Sequence, residues 1–232
     1  MDRNISQKSV LGRIIYGNAN FIIPYLIISL FFLILLGVYG NSFLFLIVNG
    51  NNSKFIDLVF LYITNLGDGI VAFLLILALL RVSFRDAITF LVITLIITII
   101  VSILKDHIFP ELVRPVQYFG TTKLLHLVPG YKPPSLGSFP SGHTATIFSV
   151  CMYLSFYSKT SVVKLLLFLI AFLVGYSRVY LSAHFPADVI TGAFVGVSVT
   201  LLCYYFSGQL KNSWLDNNIV FTNRIFIKQS TL

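Results

Sequence analysis

Two short clusters in this 232-residue chain hold residue types that do chemistry together. One is Pro140-Ser141-Gly142-His143; the other is Ser177-Arg178, followed by His184 and Asp188. An Arg-Pro pair, Arg114-Pro115, lies upstream in the same loop as the first cluster, and Lys105 precedes it. Each cluster stands at the edge of a hydrophobic run, where charged and polar side chains are expensive to hold. Two histidines, a carboxylate, two arginines and a glycine-bearing turn form a set that can bind a phosphate and break it.

Ser141-Gly142-His143 leads into an apolar run and so lies at a helix N-terminus. Free backbone N–H groups there favour an anion, and Gly142 lets the backbone approach it closely. His143 then stands beside the bound group, placed to protonate a leaving oxygen. Alone, the tetrapeptide reads equally well as a turn with a helix cap. Arg178 can hold phosphate oxygens bidentately. His184 is a nucleophile candidate if one ring nitrogen is free. Pro186 suits the first turn of the next helix, and Asp188 in that turn can reach back to fix the tautomer and support positive charge. Alone, this second cluster also reads as an interfacial Arg–Asp pair. Pro115 favours an extended backbone at Arg114. Lys105 ends an apolar run, where a lysine can also simply snorkel. Asp106, Glu111, Lys123 and Lys132 read as solvated loop charges. His107 and His126 have no carboxylate at convincing spacing and read as structural or neutral.

These motifs must be positioned by helices in lipid. The chain is 57% hydrophobic and only 10% charged, against about a quarter charged in soluble domains. The apolar runs are long and unalternating, which gives helices and excludes a barrel. The formal charge of +8 does not point to nucleic acid. The basic residues lie mainly in short segments between apolar runs, where they act as topology signals. Cys151 and Cys203 lie inside apolar runs with no metal or redox spacing and read as small core residues. The run Phe21 to Tyr39 is too long for a typical cleaved leader and reads as a retained anchor.

Six spans are expected, at about 21–39, 60–80, 87–104, 144–158, 162–181 and 187–206, each near the ~20 residues that ~30 Å of hydrocarbon needs. The second is interrupted by Asn65-Leu66-Gly67-Asp68-Gly69, so 55–66 can form an interfacial helix leading into a shorter span. The fourth is short. One side of the membrane collects Arg3, Lys8, Arg13, Arg81, Arg85, Lys159, Lys164, Lys211, Arg224 and Lys228. The other collects Lys54, Lys105, Arg114, Lys123, Lys132 and Arg178. Both termini are therefore expected in the cytoplasm, with the loop 105–143 and the turn 177–188 sharing the opposite face. The organisation expected is a cytoplasmic segment 1–20, a membrane domain 21–206 and a cytoplasmic tail 207–232 without assigned function.

Lys105, Arg114-Pro115, Pro140-Ser141-Gly142-His143 and Ser177-Arg178 with His184 and Asp188 together resemble the type-2 phosphatidic acid phosphatase (PAP2) superfamily. Its three signature segments occur here in order, over about 105–188. The second and third match residue for residue. The first departs: the family spacing puts six residues between lysine and Arg-Pro, and here there are eight. The usual spacing falls on His107; the reading taken is Lys105, with Pro110 interrupting the helix and absorbing the two extra residues.

The resemblance implies an all-α, six-helix membrane phosphatase. In it Lys105, Arg114, Arg178, Ser141 and the Gly142 amide neutralise phosphate and His184 attacks phosphorus. His143 protonates the leaving lipid oxygen, and Asp188 orients His184. It implies no metal, no cofactor, no nucleic acid and no protein partner; the partners are the bilayer and a lipid phosphate. Undecaprenyl diphosphate, phosphatidylglycerol phosphate, phosphatidic acid and lipid A phosphates are the candidate substrates, taken from the extracytoplasmic leaflet of a bacterial inner membrane. A phospholipid-binding or transport protein would use the same anion pocket without hydrolysis, but binding needs only cations and amides. The similar anion site of vanadium-dependent haloperoxidases belongs to soluble enzymes, against which the composition argues.

Overall fold

A computed structural model describes residues 2–120 and 124–219. Lys123 and positions 220–232 of the expected tail lie outside the described residues. The helices run in the order α1 (Asp2–Gly17), α2 (Ala19–Tyr39), α3 (Asn41–Gly50), α4 (Lys54–Ile63), α5 (Gly69–Leu79), α6 (Phe84–Ile103), α7 (Pro115–Phe119), α8 (Gly142–Tyr157), α9 (Ser161–Tyr180) and α10 (Pro186–Ser207). A 3-10 turn, Thr64–Gly67, links α4 to α5; a π-helical turn, Leu104–Ile108, extends α6; and a 3-10 turn, Ser213–Asp216, follows α10. Among the described residues there is no strand.

The chain is a multi-pass helical membrane protein, but not all six expected spans have the length to cross. Four helices do: α2, α6 with its π turn, α9 and α10; α3 and α4 bend by 115° and make a fifth if counted as one broken span. With 11 and 16 residues, α5 and α8 reach only ~16 and ~24 Å at ~1.5 Å per residue. The interruption expected at Asn65–Gly69 is where α4 gives way to α5. The whole of α3 was not anticipated: no helix was expected between Tyr39 and position 55.

The two kinds of helix differ in what surrounds them. On α2 only Phe21, Ile22 and Tyr25 are buried, and Leu26, Ile27, Leu30 and Ile34 stand outward as lipid-facing surface. On α8, 10 of 16 residues are buried, including Thr144, Ser149 and Ser155. It is a protein-enclosed helix between α9 and α10, so it carries polar residues and no continuous apolar run.

The seam between α8 and α10 is set by glycine. A Cβ on Gly192 would fall 2.4 Å from the Ser141 carbonyl oxygen, and one on Gly196 would fall 2.4 Å from that of Ala145. The backbones can approach this closely only because positions 192 and 196, one turn apart, have no side chain. The pairing 141/192 and 145/196 makes α8 and α10 parallel and brings their N-termini together. Gly175 packs against Thr144 and Val189, so the end of α9 meets the same place. At the opposite end of the bundle, Arg85 bonds Asp216 (2.7 Å) and the Ser207 carbonyl (2.7 Å), and Lys164 donates to the Gly17 carbonyl. The basic residues expected to share a side with the N-terminal segment therefore include Arg85 and Lys164 at one end, with the motif residues at the other.

Gly192→Ala should destabilise the bundle by about 1–3 kcal/mol, as overpacking does. Gly37→Ala, with no neighbour within 4 Å of the added carbon, should leave stability unchanged or slightly higher. Thermal unfolding of the purified variants in detergent checks both; equal melting temperatures for the two would contradict the seam.

Candidate active site

Asp188 is the third residue of α10, where a carboxylate can reach back to the backbone before the helix. Its Oδ2 accepts from the Phe185 amide (2.9 Å) and the Ser138 hydroxyl (2.5 Å), and lies 3.3 Å from His184 Nδ1. Its carbonyl accepts from the Ser141 amide at 3.0 Å. With Nδ1–H turned to the carboxylate, the lone pair of His184 is on Nε2, which faces Arg114 Nη1 at 3.3 Å. Burial pushes the His184 imidazole down to about 3 despite the bond to Asp188, so it is neutral at ordinary pH.

The turn that presents His184 is tightly held. Ala183 and His184 donate their amides to the Arg178 carbonyl, each at 3.0 Å. Ser182 has φ 57°, a left-handed conformation that a serine keeps only when its surroundings impose it. Asn49 of α3 supplies that constraint, donating to the Tyr180 carbonyl (2.8 Å) and the Ser182 hydroxyl (3.1 Å). The helix missed in the sequence is thus the prop under the turn.

Arg114 has the extended backbone expected before Pro115, with φ −82° and ψ 163°. Its Nε donates to the Leu136 carbonyl (2.8 Å) and Nη1 to the Ala183 carbonyl (3.1 Å). Burial, and next the Arg178 charge, lower its pKa. Arg178 donates through Nη1 to Thr64 Oγ1 (2.6 Å) and lies over the Tyr131 ring. Its Nε is buried without a protein partner, a donor that the fold has not used.

Lys105, Arg114, Gly142, His143, Arg178 and His184 line one cavity of about 390 Å³. Ser141 and Asp188 stand behind it. Ser141 is fully buried at the N-cap of α8, where its oxygen takes the Thr144 amide (3.4 Å) and hydroxyl (2.8 Å). Lys105 reaches the cavity, whereas His107 is exposed and not part of its wall. Between Lys105 and Arg114 lie a π turn, where the Phe109 amide bonds back to Leu104 (2.9 Å), and the break at Pro110 that follows. Glu111 and Lys132 are exposed loop charges, as is Asp106 at the cavity rim, where it accepts from Ser102 (2.7 Å).

Sequence reading missed several further contacts. Ser138 and Thr64 bond Asp188 and Arg178. Asp68 stands at the start of α5 with its Oδ1 2.9 Å from His143 Nε2. His126 does have a carboxylate partner, Asp57 (2.7 Å), which also accepts from Tyr180. The two are 69 residues apart, so no local spacing signals the pair. The only sequence hint to Asp68 is a charge between two glycines inside an apolar stretch.

A family model of the PAP2 superfamily matches residues 86–211, more than half of the chain. The fold is similar to the crystal structure of Aquifex aeolicus LpxE, with TM-score 0.62 and 31% identity, covering 71% of this chain and 94% of that one. It is also similar to a transmembrane PAP2-type phosphatidylglycerolphosphate phosphatase from Bacillus subtilis, with TM-score 0.59 and 25% identity, covering 85% and 98%. Among curated proteins, phosphatidylglycerophosphatase B of Bacillus subtilis (strain 168) is 37% identical over 114 residues, 40% of this chain and 56% of that protein. The chain spans between about a sixth and just over half of the length of the curated relatives it matches.

The placement of Lys105 and His107 gives a direct comparison. Lys105→Ala should raise KM and lower kcat for a phosphate ester, by roughly tenfold or more in kcat/KM for a lost charged contact. His107→Ala should stay within about twofold of wild type. Steady-state kinetics on both proteins decide it, and the reverse ranking would return the first motif to His107.

Proposed function

The chain belongs to the PAP2 superfamily, and from that premise we propose that it hydrolyses a membrane lipid phosphate through a phosphohistidine intermediate. The observation that carries this reading is a neutral, Asp-oriented His184 whose Nε2 faces an arginine in a cavity ringed by three cations. Lys105, Arg114 and Arg178 bind the phosphate oxygens, and the unpartnered Arg178 Nε is one donor for them. The Gly142 amide, at the N-terminus of α8, is another. Fixed donors of this kind stabilise charge that develops in the transition state.

His184 Nε2 attacks phosphorus as the phosphorus–oxygen bond to the lipid breaks. The lipid oxygen leaves with a proton from His143. Neutral His143 then takes a proton from water, and the resulting hydroxide attacks phosphorus. The phosphorus–nitrogen bond breaks, releasing inorganic phosphate and returning the lone pair to His184. Cationic side chains supply the charge neutralisation, so the reaction is assigned no metal.

A lipid substrate is supported by a second cavity of about 280 Å³ that shares Gly69, Ile97, Thr98 and Thr146 with the first. It runs between α5 and α6, where Phe73, Ile76 and Leu91 offer an apolar wall. A phosphorylated headgroup can reach the cations sideways from the bilayer while its chain lies in this groove. Phosphatidylglycerol phosphate is the first substrate to test, from the activity named for two of the relatives; phosphatidic acid, undecaprenyl diphosphate and lipid A phosphates complete the panel. We assign α5 and α8 as the two short members of a six-span bundle. Basic-residue asymmetry puts both termini in the cytoplasm and the cavity at the extracytoplasmic face of a bacterial inner membrane.

Rapid quench of wild-type protein with ³²P-labelled lipid in excess chelator should trap acid-labile phosphohistidine. His184→Ala should form none and lose at least about a hundredfold in turnover. Near-normal turnover by folded His184→Ala protein excludes the nucleophilic role, and lipid retention without phosphate release would make this a binding protein.

Orientation is tested by cysteine labelling in a background lacking Cys151 and Cys203. A cysteine replacing exposed Lys132 should react with a membrane-impermeant reagent in intact spheroplasts. One replacing exposed Lys159 should react only after permeabilisation. The opposite order inverts the protein and moves its substrates to the cytoplasmic leaflet.

A further inference from the structure

We propose that Asp68 is a positioning residue for His143, holding the imidazole and its proton for delivery to the leaving oxygen. The inference rests on the phosphatase reading above. Asp68 stands at the N-cap of α5 with extended backbone, φ −72° and ψ 149°, the position and conformation in which an aspartate normally accepts from its own helix. Its side chain makes no such bond. Oδ1 instead lies 2.9 Å from His143 Nε2. The carboxylate has forgone the local partner its position offers and is spent on a histidine 75 residues away in sequence.

The approach between the two segments is built into the backbone. A Cβ on Gly67 would lie 2.9 Å from both the Cβ and the carbonyl oxygen of His143. Only glycine lets the Thr64–Gly67 turn press directly against the first turn of α8 and bring the next residue level with the imidazole. The same turn carries Thr64, which holds Arg178. One irregular break in an apolar stretch therefore fixes a phosphate-binding cation and the acid.

Charge explains why a carboxylate belongs there. His143 shares its cavity with Lys105, Arg114 and Arg178, and three cations oppose a fourth on the ring. An anion at Nε2 offsets that repulsion and favours the protonated imidazole. With Nε2 on the carboxylate, Nδ1 is the nitrogen left to hand a proton to the lipid oxygen. His184 and His143, which line one cavity, thus each have an aspartate, Asp188 and Asp68.

The test exploits leaving-group chemistry. A lipid alkoxide needs a proton to depart; nitrophenolate does not. Asp68→Asn removes the charge, and Asp68→Ser does so while keeping a strong helix cap. Wild type, both variants, His143→Ala and the double variants are assayed on short-chain phosphatidic acid in detergent and on p-nitrophenyl phosphate. Both Asp68 variants should lose about tenfold or more in kcat on the lipid and stay within about twofold in the pre-steady-state burst of nitrophenolate, which reports the first step before His143 acts as a base. In a His143→Ala background they should add nothing. Equal losses in the two measurements, no loss in either, or full additivity with His143→Ala would overturn the proposal. If wild type releases phosphate from neither substrate, the phosphatase reading fails and takes this inference with it; active wild type with indifferent Asp68 variants defeats the inference alone.

Discussion

Asp188 ties the turn and helix start around it to the long loop and the head of α8, which are distant in sequence. Its carboxylate takes the Ser138 hydroxyl from the long loop, the Phe185 amide from its own helix start and the His184 ring from the turn before it. Its carbonyl takes the Ser141 amide at the head of α8. A buried carboxylate is costly unless its oxygens are satisfied, and here the groups that satisfy it are the segments that make the cavity. The constraint runs in both directions. Those bonds require α8 and α10 to begin side by side, which Gly192 and Gly196 permit by letting one helix backbone rest on the other.

The remaining architecture follows from holding cations at that junction. Arg114 and Arg178 are each buried and anchored by only part of their donor set: carbonyls of residues 136 and 183 for one, Thr64 for the other. Both guanidiniums line the same cavity, and Arg178 Nε is buried without a protein partner. Two guanidiniums and a lysine around one cavity repel each other, and burial removes the water that would screen them. On the proposed function, an arriving phosphate dianion would relieve this repulsion, which favours an anionic headgroup over a neutral one.

How far this was legible in sequence depends on whether a partner lies within one turn or across the fold. His184 and Asp188 are four residues apart at a helix start, so their pairing can be read directly. Arg114-Pro115 and Ser141-Gly142-His143 carry their local geometry with them. Ser138, Asp68 and the Asp57–His126 pair lie far in sequence from what they touch, and only the tertiary structure supplies the contact. The short fourth segment has a related explanation: α8 is enclosed by protein, so it needs neither an unbroken apolar run nor the full thickness of the bilayer. Gly192 and Gly196 were visible as glycines one turn apart, but which backbone they admit is a property of the packed bundle. The π turn after α6 is likewise invisible to a spacing rule, yet it decides that Lys105 rather than His107 faces the cavity.

The two His–Asp pairs differ in exposure in a way that fits the work assigned to each. The side chains of His184 and Asp188 are 2% and 5% exposed, those of His143 and Asp68 34% and 45%. A nucleophilic imidazole must keep its lone pair, and complete burial among cations keeps it from being protonated. A general acid must be reprotonated after each turnover, so it needs contact with water. Asp188 compensates part of the burial cost while fixing which nitrogen is free. Asp68 offsets part of the repulsion that the cations exert on the other ring. Exchanging the surroundings would defeat both tasks: an exposed His184 would be protonated more readily, and a buried His143 would lose its route to water. On the proposed mechanism, one histidine type performs two opposite functions because one ring is enclosed by protein and the other is open to solvent.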